Sequence, residues 1–279
     1  MMYVSVWPSE ALARQRSHGC IALSVQRFGA ASRVAALRES GPSRLRLPRT
    51  GSHALEAVVI NTGGGIACGD RYDLDISAGM GAELTVTNPG AEKVYKSNGP
   101  MAHMNVQLKV EEEASLAWLP QETIVFNQAR LTRSFEVKLA AGSRFLLAEM
   151  VVFGRAAFHE EVIDGHFEDR WRIRRGGRLV YADTLRLSGA ISDLLRSPSV
   201  AGGATAIATV LYAAADAEAR LEEARDILGQ AGSGQMAAIA WNGLLALRFI
   251  SPTIAELRRH VVHFLVHFRN QSMPRVWQT

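Results

Sequence analysis

Up to about Ser199 the dominant pattern of the chain is one-for-one alternation of apolar with polar residues. In Tyr72-Asp73-Leu74-Asp75-Ile76-Ser77 the apolar side chains take one parity and both aspartates the other. Met104, Val106, Leu108 and Val110 alternate with Asn105, Gln107 and Lys109, and Phe135, Val137 and Leu139 alternate with Glu136 and Lys138. Trp171 and Ile173 alternate with Arg170, Arg172 and Arg174. Successive side chains of a strand point to opposite faces, so these segments bury one face and wet the other; on a helix the same residues would scatter. Asn98-Gly99, Asp164-Gly165 and Gly176-Gly177 punctuate them, and Asp-Gly and Gly-Gly suit tight hairpins because those turns need positive φ. The pattern predicts a sheet-rich body over residues 1–199.

The last third changes character. Residues 204–213 read as a strand and 216–228 as a helix, with Ala219, Leu221, Ala224 and Leu228 near one side. Asp216, Glu218, Glu222 and Glu223 crowd its early turns, where the helix dipole favours negative charge, and Gly229, Gly232 and Gly234 end it. Two strands over 236–241 and 244–250 are joined by Asn242-Gly243, a strong hairpin signal. Ser251-Pro252-Thr253 opens a final helix whose Ile254, Leu257, Val261, Phe264, Leu265 and Phe268 form an apolar stripe. No Pro/Ser-rich linker intervenes, so the expectation is a single domain over 1–279, its α/β end (200–279, two helices) packed on the body.

At 48% hydrophobic and 21% charged residues the chain is neither a disordered tail nor a disulfide-stapled miniature. Thirty-one Lys+Arg against 27 Asp+Glu leave only +4 over 279 residues, no concentrated basic footprint. Two cysteines, Cys20 and Cys68, fit a reducing compartment. Glu10, Arg14 and Arg16 break up the first 24 residues, which argues against a signal peptide, and no apolar run reaches the ~18 residues of a membrane span. The expected location is cytoplasmic, without a membrane partner.

Several residue groups invite a chemical reading. Gly64 and Gly69 have the spacing of a phosphate loop, but Asp70-Arg71 stands where Lys and Ser/Thr are needed and a strand follows where a helix should. A tight glycine turn between strands is the simpler reading. Cys68 could be a nucleophile or soft ligand, or a small buried thiol. His260, His263 and His267 lie on one side of the final helix, but i to i+7 spans about 10 Å, too far for three ligands of one ion. A two-ligand site is the most that stripe offers. Arg170, Arg172, Arg174, Arg175 and Arg178 form the densest basic patch, with too little aromatic interleaving for a nucleic-acid surface. Asp70, Glu149 and Asp183 sit beside apolar or glycine-rich sequence, and a carboxylate buried there must be paired, protonated or coordinating. No set of acid, base and nucleophile emerges.

A series of blocks, in order along the chain, resembles one known family. They are Ser40-Gly41-Pro42 with Leu45-Arg46-Leu47-Pro48; Asn61-Thr62-Gly63-Gly64-Gly65 leading to Gly69-Asp70-Arg71; and Thr87-Asn88-Pro89-Gly90-Ala91-Glu92-Lys93-Val94-Tyr95-Lys96-Ser97. Trp118-Leu119-Pro120-Gln121-Glu122-Thr123-Ile124, Glu149-Met150-Val151-Val152-Phe153-Gly154-Arg155, Tyr181-Ala182-Asp183 and Pro274-Arg275-Val276-Trp277 complete the series. The chain is similar over nearly its whole length to the urease accessory protein UreD (UreH) family. Cys68 departs from that family's usual Gly-Gly-Asp turn, and the histidine stripe is not part of its pattern.

The resemblance implies a β-helix-like fold of many short strands with a small helical portion, and a scaffold that is not an enzyme. It implies partners: accessory protein F, the GTPase accessory protein G and apo-urease, whose nickel centre the complex helps to load. It implies no tightly bound cofactor, only transient Ni²⁺ on an internal wet route, with Asp70, Glu149 and Asp183 as weak transit ligands. Gly63, Gly64, Gly65, Gly69, Lys93 and Tyr95 become the motif residues that shape the fold, and Cys68, His260 and His263 remain secondary metal candidates. Ni²⁺ binds Cys/His cages tightly, so isolated carboxylates suit an ion that must be released. The alternatives are an enzyme using the same carboxylates as acid or base and, less favoured, a nucleic-acid-binding module on the arginine strand.

Overall fold

The computed structural model describes residues 16–97, 99–232 and 234–278. Residues 1–15, which carry most of the leader argument, and Asn98 of the expected Asn98-Gly99 turn lie outside them. Strands β1 (His18–Phe28), β2 (Ala31–Ser40) and β3 (Ser43–Arg46) open the chain. From β4 (Leu55–Asn61) the chain steps back and forth between two sheets. β5 (Arg71–Ala78) lies in the first sheet, β6 (Glu83–Thr87) in the second beside β4, and the short β7 (Glu92–Val94) at the second sheet's flank. β8 (Ala102–Val110) returns to the first sheet and β9 (Ser115–Trp118) to the second. β10 (Thr123–Val125) pairs with β7, β11 (Arg130–Leu139) joins the first sheet and β12 (Arg144–Phe153) the second.

Each return lays a strand parallel to the one a coil earlier: β5, β8 and β11 in the first sheet, β4, β6, β9 and β12 in the second. The body is therefore β-solenoid-like, a stack of coils with two parallel walls. β13 (His166–Arg175) adds the last parallel strand, and β14 (Arg178–Ser188) closes the first sheet antiparallel to it. A short helix α1 (Ile191–Arg196), which the alternation did not announce, leads to β15 (Ala206–Ala213). After α2 (Leu221–Gln230), strands β16 (Gln235–Trp241) and β17 (Leu244–Ser251) extend the second sheet, and α3 (Ile254–Arg269) follows.

Two apolar cores share the second sheet. Ile21, Leu74, Val106, Phe135, Phe167 and Trp171 of the first sheet meet Leu84, Leu116, Phe145 and Leu147 of the second. On the outer side, Leu146, Ala148, Met150 and Val152 of β12 pack with Val210 and Phe249 against Leu257, Val261, Phe264 and Phe268 of α3. β12 is covered on both faces, which is why residues 145–153 read as a continuous apolar run rather than alternating.

The hairpin signals divide. Gly176-Gly177 and Asn242-Gly243, all at positive φ, turn β13 into β14 and β16 into β17 as expected. Asp164-Gly165 is no hairpin: it leads into β13 after the chain has crossed from the second sheet to the first. α2 begins five residues late, because Ala214, Asp216 and Glu218 carbonyls accept bonds in successive turns before it, and it runs through Gly229. The final helix starts where expected, with Thr253 Oγ1 accepting from the Glu256 amide.

Candidate functional site

The glycine segment and the Glu92–Val94 segment are stitched into one unit. Ile66 donates its amide to Lys93 O at 2.7 Å and Tyr95 donates its own to Ile66 O at 2.8 Å. The Tyr95 hydroxyl donates to Gly64 O at 2.9 Å. Gly64 and Gly69 hold positive φ, and a Cβ at Gly65 would lie 2.4 Å from the Tyr95 ring and 2.7 Å from Lys93 O. Gly63 donates its amide to Asn61 Oδ1 at 3.0 Å. Asn61 Nδ2 donates to Gly65 O and to Glu92 Oε1, at 3.0 and 3.2 Å. This is a structural turn between β4 and β5, as its sequence suggests, and the Asn61 side chain ties it to Glu92.

Asp70 is buried in the same turn, accepting from the Ser17 amide on Oδ1 and the Ala67 amide on Oδ2, each at 2.8 Å. A carboxylate holding two backbone N–H groups pins the turn. Cys68 is buried beside it and carries a thiol, not a disulfide.

Between the walls lies a polar seam centred on Arg133 of β11, which is 3% exposed. Its guanidinium donates to Glu149 Oε2 at 2.7 Å and to both oxygens of Asp169, at 3.1 and 2.6 Å. Glu149 Oε1 accepts from Trp118 Nε1 at 2.7 Å. Burial acts to lower the Arg133 pKa, but the Asp169 and Glu149 charges reverse this and hold it above its ordinary value. Burial pushes Glu149 up and Asp169 adds to that, against the pull of Arg133. Farther along, Asp183 accepts from Arg248, which also reaches Thr209 Oγ1.

Glu149 borders two small cavities. One, of about 50 Å³, is lined also by Glu92, Gln121, Trp118 and Arg133. The other, of about 20 Å³, is lined by Asp169, Asp183, Thr209 and Arg248. Spaces of this size and polarity hold single waters or a few. Glu92 titrates near 7, raised chiefly by burial against the opposing bond from Asn61. The seam thus runs from Glu92 through Glu149, Arg133 and Asp169 to Asp183, four carboxyl groups against the two guanidiniums of Arg133 and Arg248.

Of the three acids singled out in the sequence, the seam brings together Glu149 and Asp183 and leaves Asp70 in its turn. None is the isolated carboxylate that the transit reading pictured: each is already engaged by an arginine or by backbone amides. Arg133, Asp169 and Glu92 were missed. The signal was present for the first two: Arg133 shares its parity with Leu131, Phe135 and Val137, and Asp169 with Phe167, Trp171 and Ile173. A charge on the buried parity of an alternating strand marks an interior ion pair. His260 and His263 do not act together. His260 is buried with Nε2 3.1 Å from Arg259 Nη2, whereas His263 meets His267, ring centroids 4.4 Å apart. Among the described residues no three His, Cys, Asp or Glu side chains converge as a metal cage, and no helix is long and apolar enough to cross a membrane.

Comparison with known proteins agrees with the blocks read in the sequence. The UreD urease accessory protein family matches residues 17–278. The chain is 50% identical to urease accessory protein UreD of Xanthobacter autotrophicus over 97% of this chain and 93% of that protein. It is 52% identical to urease accessory protein UreD 1 of Methylobacterium radiotolerans, over 96% and 94%. Azorhizobium caulinodans UreD is 48% identical, over 95% and 97%. An ordered match from the first described strand to Trp277, on a two-walled stack of coils, leaves one assignment: this chain belongs to the UreD urease accessory protein family.

Proposed function

We propose that this chain is a scaffold rather than an enzyme, which with accessory proteins F and G docks on apo-urease in the cytoplasm and helps insert nickel into its active site. The observation that carries the reading is near-50% identity over almost the full length to proteins named urease accessory protein UreD. The interior supports it. The seam offers weak oxygen donors in sequence, with Glu92 toward one end and the partly exposed Asp183 at the other. Ni²⁺ handed along such a seam meets paired carboxylates and waters, never a closed set of strong ligands, and so can leave. Arg133 opposes a cation and offsets part of the acid charge, which keeps each stop shallow.

Cavities of about 50 and 20 Å³ are too small for the carboxylate-enzyme alternative, since organic substrates occupy pockets of roughly 300–1,000 Å³. In the arginine patch Arg172 donates to the Trp171 and Asp183 carbonyls while Arg170, Arg174 and Arg178 are exposed, so a nucleic-acid role rests on three solvated arginines with little aromatic interleaving.

The test is reconstitution of urease from apo-urease, F, G and this chain, reading urease nickel content beside assembly by gel filtration. Omission of the chain is expected to abolish loading; unchanged loading would overturn the reading. Asp183→Asn, a partly exposed position, is expected to leave the complex assembled and to slow loading several-fold. Normal loading in that variant would remove Asp183 from the route.

A further inference from the structure

The outer face of the second sheet is only partly covered by α3, which ends at Arg269. Past that end two cross-strand rows lie open. Glu83, Ser115 and Arg144 are direct partners across β6, β9 and β12, and Glu56, Thr85, Ala117 and Leu146 across β4, β6, β9 and β12. These rows floor two adjoining grooves of about 460 and 430 Å³, which share Ser52, Thr85, Arg269 and Gln271. Under α3 the same parity of β12 supplies Ala148, Met150 and Val152, a surface for an apolar helix. In the grooves it gives way to small and charged side chains, a floor for a polar occupant.

The charges around this floor are unbalanced. Arg144 of the first groove and Arg49 and Arg275 of the second are exposed, and no ion pair or hydrogen bond engages their side chains among the described residues. Arg269, common to both, reaches only the neutral Met273 sulfur and Gln271 Oε1, at 3.9 and 3.2 Å. Arg220 at the far wall is neutralised by Glu223, at 2.7 and 2.9 Å. The exposed His267 stands on the α3 wall. The Val266, His267 and Phe268 carbonyls at the helix end are taken by the Gln271 and Asn270 amides and by Arg220, so they add little negative field. Four unneutralised guanidiniums thus face two carboxylates, Glu56 and Glu83. Glu56 Oε1 is buried and has no hydrogen-bond donor, although the charges of Arg269 and Arg275 act on it.

One kind of occupant answers both deficits. A polypeptide segment bearing Asp or Glu offers carboxylates to the guanidiniums and a backbone N–H to Glu56. Inorganic phosphate brings concentrated charge with no backbone N–H and meets Glu56 and Glu83 as repulsion. A nucleic-acid strand finds no ring on which to stack a base, since Tyr212 and Phe268 in the first groove are buried. We propose that this groove docks an acidic segment of a partner protein, its carboxylates on Arg144 and Arg275 and a backbone N–H on Glu56. Three inter-strand steps from β12 to β4 span about 14 Å, the length of roughly four extended residues. The surface lies outside the second sheet, away from the seam between the walls.

The test is fluorescence anisotropy of a labelled nonapeptide of alternating Gly and Glu on the full chain, beside its Gly/Lys counterpart, inorganic phosphate and a labelled single-stranded oligonucleotide. The Gly/Glu peptide is expected to bind, more weakly as salt rises, and the Gly/Lys peptide is not. Arg144→Ser and Arg275→Ser should each weaken binding by up to about fivefold, the scale of an exposed ion pair, and the double variant by about tenfold. Glu83→Gln, which removes a repelling charge, should tighten it. Arg170→Ser, at an exposed arginine of β13, should change nothing. No binding of the Gly/Glu peptide, or binding unchanged in the double variant, would overturn the proposal. So would displacement of the peptide by phosphate at matched ionic strength, or a preference for the oligonucleotide that the double variant abolishes. Because neither urease nor an accessory protein is present, failure here is distinct from failure of the accessory role.

Discussion

Arg133 and Glu149 lie on opposite walls of the coil stack, 16 positions apart in the chain, and their side chains meet at 2.7 Å in its interior. The pair joins the two sheets by a charged contact inside an otherwise apolar core, with Asp169 as a second acid on the Arg133 side. A buried pair of this kind is costly to form but costlier to break, because either partner left alone is an uncompensated charge.

Arg133→Met is therefore expected to destabilise the chain by about 3–5 kcal/mol. Adding Glu149→Gln and Asp169→Asn, which remove the stranded charges, should recover a large part. Urea denaturation of the three proteins checks both; an Arg133→Met chain as stable as wild type would mean the seam is hydrated enough to screen its charges.

The glycine turn makes a contrasting set. Gly65→Ala drives a methyl group into the Tyr95 ring and Lys93 O, an overpacking that should cost about 1–3 kcal/mol. Tyr95→Phe loses one exposed hydrogen bond to Gly64 O, about 1 kcal/mol at most. Lys93→Ala should stay within about 0.5 kcal/mol of wild type, since the fold uses the Lys93 carbonyl while its side chain is exposed. Thermal melting separates the three. Lost urease activation in Lys93→Ala at unchanged melting would assign that side chain to a partner contact.

Glu92 gives a pH dependence with a definite sign. Its pKa in the fold is about 7 against an ordinary 4.5, so the folded chain favours the protonated form. The stability this contributes is complete below pH 4.5 and is lost as pH rises to about 7. Glu92→Gln, which keeps an acceptor for Asn61 Nδ2, should melt like wild type at pH 4 and higher at pH 8. Allowing for partial exposure, about 2 kcal/mol is expected, a gain of a few degrees. A difference independent of pH would show that folding leaves the Glu92 pKa unchanged.

Trp277, two residues from the end of the chain, closes the outer side of the second sheet. Its indole donates to Thr87 Oγ1 at 3.0 Å and Leu119 O at 3.2 Å, and Arg258 lies 4.6 Å from its ring. Trp277→Ala should cost about 3–5 kcal/mol. Thr87→Val, which removes one of the two acceptors, should cost about 1 kcal/mol. Denaturation midpoints of the two variants test the ratio, and equal losses would deny the packing share.

The strands, the Asn242-Gly243 hairpin and the Thr253-capped helix were legible because each rests on local chemistry: side-chain parity, positive φ, an orphan amide. The same parity marked Arg133 and Asp169 as inward-facing charges on β11 and β13. What faced them could not be read along the chain. Glu149 meets Arg133 only because β9 and β12 stack in the second wall while β11 and β13 stack in the first, and the register between walls is set by coil length and core packing. Asp164-Gly165 failed for the same reason, since a turn dipeptide does not say whether the chain folds back or crosses to the other wall. On α3 the stripe of three histidines was plain, but what each of them meets was decided by the tertiary structure. Packing of α3 on the second sheet buries His260, half-buries His263 and leaves His267 exposed at the groove. Local propensity determines the elements, and the company each charge keeps inside them is determined by packing between segments distant in sequence.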